Sequence, residues 1–222
     1  MTGARRFVLA TGNAGKAREI GALLGTAGIE ILSQAEFGLA SAVETGATFV
    51  ENALLKARHA SAGSGLPAIA DDSGLVVDAL GGAPGIHSAR YSDDGGDAAN
   101  VAKLLEELGE LPAEQRGARF VCLAVLLRHP ADPLPVLCHG VWEGRIATAP
   151  RGTGGFGYDP VFIPAGHDCS AAELEPGEKN RLSHRGRAFG CLLESLQADG
   201  AARPARPARH GDREAADRGG AA

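Results

Sequence analysis

The sequence predicts an α/β fold, and three observations carry that expectation. Residues 7–32 read as a strand, a polar turn, a helix and a second strand, the order of a βαβ unit. A helix with a strong start signal at Thr48 runs toward a short apolar segment at residues 66–70, so helix and strand keep alternating. Residues 119–127 and 136–146 are the longest strand candidates, close enough in sequence to pair antiparallel.

Phe7-Val8-Leu9-Ala10 suits a buried strand, and Thr11-Gly12-Asn13-Ala14-Gly15 is the turn after it. From Lys16 onward, Ile20, Leu23 and Leu24 recur on one helical face. Gly25 and Gly28 close that helix, and residues 29–32 form the next strand. Thr48 with Glu51 three positions later is a capping box, and residues 53–62 continue with good helix formers. Residues 66–70 and 75–78 then read as strands on either side of a turn, Asp71-Asp72-Ser73-Gly74. Gly81-Gly82-Ala83-Pro84-Gly85 is a loop, because it opposes both regular structures. An amphipathic helix follows at 98–108, residues 150–160 form an irregular glycine-rich segment, and a last helix spans 183–196. Beyond Asp199 the alternating Ala, Arg and Pro lack apolar periodicity, which predicts one domain over 1–198 and a disordered tail over 199–222.

The 222 residues are 44% hydrophobic and 22% charged, which is ordinary for a soluble globular protein with a full core. A net charge of −5 argues against bulk nucleic-acid binding but leaves room for a local anion pocket. No apolar run approaches the roughly 18 residues of a membrane span. The opening Met1-Thr2-Gly3-Ala4-Arg5-Arg6 holds no apolar signal core. Cys122, Cys138, Cys169 and Cys191 are widely spaced and form no CxxC pair. They predict free thiols in a reduced, cytoplasmic protein without structural zinc.

Several segments carry chemistry. Asp71 and Asp72 are adjacent carboxylates that repel each other, and a divalent cation would remove that cost. Thr11-Gly12-Asn13-Ala14-Gly15-Lys16 lies between strand and helix, where free N–H groups and the helix dipole suit a phosphate. It is not a Walker A loop: the first glycine is too close to Gly15-Lys16, and Ala17 stands where Ser or Thr is needed. Capping explains Glu51 but not Glu44, which is the candidate second metal carboxylate. Lys56 shares a helical face with Asn52 and could turn toward an anion, although a solvated lysine is the commoner outcome.

In the loop around Gly152, Gly154, Gly155 and Gly157, Phe156 and Tyr158 offer a stacking surface for a nucleobase. Asp159, held extended by Pro160, could accept from a ring N–H. Ser183 reads as a helix N-cap, which puts His184 and Arg185 in the first turn. Cations there oppose the helix dipole and so imply an anion or ligand nearby. His59, His139 and His167 lack metal-ligand spacing.

Carboxylates for a cation, cations for phosphates and aromatics for a base together describe a nucleoside polyphosphate site. Residues 7–19, 44–57, 68–91, 152–160 and 179–187 resemble, in order, five signature blocks of the inosine triphosphate pyrophosphatase family. The closer resemblance is to its bacterial dITP/XTP pyrophosphatase branch. The resemblance implies a two-lobed fold around a long mixed sheet flanked by helices, a homodimer, and Mg²⁺-dependent cleavage of ITP, dITP or XTP to monophosphate and pyrophosphate. On those terms Thr11, Gly12, Asn13, Ala14, Gly15 and Lys16 would bind the triphosphate, and Asp72 would be metal ligand and general base. Ser73 would contact substrate, Phe156, Gly157, Tyr158 and Asp159 would hold the base, and Lys179, His184 and Arg185 would complete the pocket. Glu44 would be the second metal ligand, although Val43 stands where the family often has another acid. The alternatives are a Maf-like pyrophosphatase for pyrimidine or modified nucleotides, and a nucleotide-binding module without turnover.

Overall fold

The computed structural model describes residues 5–25, 28–93 and 95–202. A six-stranded mixed sheet in the order β2-β1-β3-β4-β5-β6 bears out the α/β expectation. Strand β1 (Arg5–Ala10) pairs parallel with β2 (Ile29–Ser33) and β3 (Ala68–Val77). From β3 the ladder turns antiparallel through β4 (Gly117–Leu127), β5 (Val136–Ile146) and β6 (Phe162–Pro164). The helices are α1 (Ala14–Leu24), α2 (Phe49–Ser64), α3 (Asp97–Leu108), α4 (Pro176–Leu182) and α5 (His184–Ala202).

Strand alternation sorts the core onto two faces. Phe7, Leu9 and Ile69 meet Ile20 and Leu24 of α1 and Phe189 and Leu192 of α5. Val8, Ala10, Ala68 and Ala70 meet Ala53, Ala57 and Ala60 of α2, small side chains that let the helix lie close to the sheet. A third cluster joins α3, through Leu104 and Leu108, to Leu75, Val77, Trp142 and Phe162, and makes the second lobe. Arg116, 1% exposed, fastens that lobe by donating to the carbonyls of Gly109, Leu111, Ile146 and Ala147.

Residues 71–74 are not a turn. Asp71 stands opposite Ala124, Asp72 opposite Leu123 and Gly74 opposite Val121, in the middle of a continuous β3. Charged side chains disfavour a buried strand only when unpaired, and here partners from α1, α2 and α5 reach them. Ser183 caps α5 as expected, its hydroxyl accepting from the Gly186 N–H at 3.0 Å. It also closes α4, a short helix absent from the sequence reading because seven residues carry little periodicity. Helix α5 runs past the Asp199 boundary to Ala202, and the rest of the expected tail lies outside the described residues.

The expectation of four free thiols fails for one pair. Cys138 on β5 and Cys191 on α5 form a disulfide across 53 positions, with Cα atoms 5.9 Å apart. Packing α5 on β5 brings them together, which no local spacing reveals. Cys122 and Cys169 are free. Among the described residues no helix is long and apolar enough to cross a membrane.

Candidate active site

A cleft of about 300 Å³ runs between the lobes where β1, α2, β3 and α5 converge. Thr11, Gly12, Asn13, Lys16, Glu44, Asp72, Ser73, Phe156, Gly157, Tyr158, Asp159, Lys179, His184 and Arg185 all line it. Ala14 and Gly15 do not. Gly15 instead abuts the Phe156 ring, whose Cδ1 would lie 2.8 Å from any Cβ added there.

The turn after β1 is held by its own side chains. Thr11 Oγ1 accepts from the Asn13 N–H at 3.2 Å, and Asn13 caps α1 by accepting from the Lys16 N–H at 3.0 Å. Lys16 then reaches β3, where its ammonium lies 3.2 Å from Asp71 Oδ2.

Alternation along β3 aims Asp71 and Asp72 at opposite faces of the sheet. Asp71 Oδ2 faces α1 and α5 and receives the Ser73 hydroxyl at 3.0 Å, with Arg185 Nε 3.7 Å away. Burial alone would raise its pKa, but the charges of Lys16, Arg185 and Lys56 overcome this and hold it well below the usual carboxylate range. Arg185 also pairs with Glu19 and donates to the Ser73 hydroxyl at 3.0 Å. The other Glu19 oxygen takes Lys179 at 2.7 Å, and Lys179 bonds Asp159 Oδ2 at 2.7 Å. The cations expected to mark an anionic ligand therefore already have protein partners.

Asp72 faces α2. Its Oδ1 lies 2.7 Å from Lys56 Nζ, and its Oδ2 accepts from Asn52 at 3.4 Å. The same ammonium is 3.0 Å from Glu44 Oε1, and Arg90 is 3.3 Å from Glu44 Oε2. Burial raises the Asp72 pKa despite Lys56. The Glu44 pKa falls, because Lys56 and Arg90 outweigh its burial. The solvated outcome for Lys56 is overturned, since its side chain is 12% exposed. No group of three or more His, Cys, Asp or Glu gathers as a metal cage among the described residues.

Aromatic residues line another part of the cleft. His184 stacks on Phe120 at 4.7 Å between ring centroids, with planes 10° apart. Burial, with Arg185 beside it, pushes its pKa well below the ordinary value, so the imidazole is neutral. His184 Nδ1 and Arg185 Nε are buried without a hydrogen-bond partner among the described residues. Lys179 and Arg185 lie over the Phe156 ring at 5.2 and 5.6 Å.

One expectation for this loop needs correcting. Tyr158 is a core residue, 4% exposed, with its hydroxyl donating to the Ser88 carbonyl at 2.9 Å. Asp159 Oδ2 is taken by Lys179 and by the Phe156 N–H at 2.8 Å. Sequence reasoning missed Glu19, Asn52, Asp97 and Phe120. Glu19, one helical turn past Lys16, carried a faint signal. Asp97, which accepts from the Gly157 N–H at 2.6 Å, carried none.

A family model described as the Ham1 family matches residues 7–195. The chain is 58% identical to a dITP/XTP pyrophosphatase of Shigella flexneri over 194 residues, 87% of this chain and 98% of the relative. It is 59% identical to one of Pseudomonas aeruginosa over 191 residues, 86% of this chain and 96% of that one. Among solved structures, a HAM1 protein from Coxiella burnetii superposes with a TM-score of 0.81 at 48% identity, over 87% of this chain and 99% of that one. The resemblance carried by the five sequence blocks is thus borne out across nearly the whole folded region. In sequence and in fold alike, the chain belongs to the Ham1 family.

Proposed function

We propose that the cleft hydrolyses the non-canonical purine nucleotides dITP, XTP and ITP to the monophosphate and pyrophosphate. The observation that supports this reading best is that one cleft is lined both by charged side chains, Asp72, Glu44, Lys16 and Lys56, and by rings, Phe120, His184 and Phe156. Relatives more than half identical bear the name dITP/XTP pyrophosphatase.

Glu44 and Asp72 fit a Mg²⁺ ion. An ammonium already bridges Glu44 Oε1 and Asp72 Oδ1, so the pair favours a cation, and carboxylate oxygens suit this metal. When bound, the ion would neutralise charge on the phosphates. Asp72 takes the proton of the attacking water, its proton affinity raised by burial. The anhydride bond between α- and β-phosphates breaks, and Lys16 and Lys56 meet the charge on the departing pyrophosphate.

Selectivity follows from hydrogen-bond chemistry. Hypoxanthine and xanthine present a 6-oxo acceptor where adenine presents an amino donor. Donors on His184 and Arg185, which line the cleft, would receive that acceptor, whereas adenine would set donor against donor. Each such buried mismatch costs about 1–3 kcal/mol, so two give roughly 10²–10⁴-fold discrimination.

The catalytic unit is residues 1–198, acting as a homodimer in the cytoplasm, where nucleotide pools lie, with neither nucleic acid nor membrane as partner. Pyrophosphate release from dITP, XTP and ITP, compared with dATP, dTTP and UTP, with and without Mg²⁺, tests the activity. Mg²⁺-dependent release from the first three is expected. Release confined to dTTP or UTP, or binding without release, overturns the reading.

A further inference from the structure

Lys56 occupies an unusual position for a lysine in a phosphate-handling cleft. Its ammonium lies between two carboxylates, 2.7 Å from Asp72 Oδ1 and 3.0 Å from Glu44 Oε1, on a side chain only 12% exposed. Both acids are independently fixed around it. Asn52, one turn earlier on α2 and fully buried, donates to Asp72 Oδ2 and accepts from the Gly46 N–H at 2.8 Å. That single amide ties Asp72 to the loop that carries Glu44, while Arg90 holds the far Glu44 oxygen. Lys16 lines the same cleft but pairs with Asp71 instead.

We propose that Lys56 is a built-in counter-ion of the Glu44–Asp72 pair, so that a divalent cation and the Lys56 ammonium exclude each other there. The inference rests on the reading of those carboxylates as the metal ligands. The oxygens that face Lys56 are the ones a small cation between the two acids would need. Lysine suits the role because its point charge sits on a flexible four-carbon stem that can swing away. The consequence is that the protein alone binds the cation weakly. A ligand that gives the ammonium another anion, such as a polyphosphate, raises cation affinity, and by linkage the cation raises affinity for that ligand.

The test is a Mn²⁺ titration of the full chain without nucleotide, followed by calorimetry and by the electron paramagnetic resonance of free Mn²⁺. Lys56→Met is expected to bind Mn²⁺ about tenfold tighter than wild type or more, the size of one removed hydrogen bond to a charged group. Lys56→Gln repeats the measurement in a side chain that keeps polar contacts, should the methionine variant fold poorly. Lys16→Met removes an equal charge from the same cleft and is expected to change Mn²⁺ affinity by less than about threefold. Unchanged or weaker binding in the Lys56 variants overturns the proposal, as does equal tightening by Lys16→Met. With no nucleotide in the cell, these results stand apart from the pyrophosphate assay, so either reading can fail alone.

Discussion

Asp71 and Asp72 are neighbours in sequence and opposites in surroundings. On the α1–α5 face, Asp71 is completely enclosed, and Lys16, Arg185 and Ser73 converge on its Oδ2. On the α2 face, Asp72 keeps one strong partner, Lys56, and lines the cleft. One carboxylate ties α1, β3 and α5 together, while the other faces the cleft, where we propose that it acts as the base. The difference teaches that a strand can separate structural from chemical charge by a one-residue step, because its side chains alternate between faces.

The largest effect is expected from Asp72→Asn, which removes the proton acceptor. Pyrophosphate release should fall about 10³-fold while the thermal unfolding midpoint stays near that of wild type. Turnover near wild type would remove Asp72 from the role of base.

Asp71→Asn should show the reverse pattern, a loss of fold rather than of chemistry. Leaving Lys16 without its buried counter-charge should cost about 3–5 kcal/mol in denaturant unfolding. The pH dependence has a definite sign. The folded-state pKa of Asp71 is lowered from 3.8, so its contribution is present above that value and fades as pH falls below it. The gap between wild type and Asp71→Asn should therefore close in acid. A gap that widens in acid would contradict the assignment.

On the same face, the Cys138–Cys191 bond fastens α5 to β5. A reductant should lower the stability of wild type by about 2–4 kcal/mol and leave Cys138→Ser unchanged. Equal sensitivity in both proteins would show that the pair does not carry the effect. The smallest effect is expected where the two sides of the cleft touch. Gly15→Ala presses on the Phe156 ring and should cost about 1 kcal/mol or less, seen as a raised KM for dITP with kcat retained. A fall in kcat with KM unchanged would place Phe156 in the chemistry instead.

The βαβ opening, the Thr48 start of α2 and the β4–β5 hairpin were legible because local periodicity and capping decide them. Thr48 Oγ1 does accept from the Glu51 N–H, at 3.3 Å. The course of β3 through residues 71–74 was not legible, since its charges are neutralised by residues far away in sequence. Glu19 meets Arg185 across 166 positions and Lys179 across 160. The motif residues of the site could be read one by one, but not their mutual pairing. Tyr158 shows the limit from the other side: a glycine-rich setting suggested an exposed aromatic, and the phenol closes the core of the second lobe instead.

Gly140 carries a mechanical consequence. A Cβ there would fall on the His184 carbonyl and close to the Ala188 N–H, so β5 and the first turn of α5 meet backbone to backbone. His184 and Arg185 are thereby set by the register of the sheet rather than by a pliable connection. This rim of the cleft is the anvil, fixed by backbone packing rather than by side chains alone. Elsewhere along the cleft, Ser41, Ala42 and Glu44 lie on a segment outside the regular elements. On the proposed function, the anvil side is a fixed gauge that tests a base by shape and hydrogen bonding.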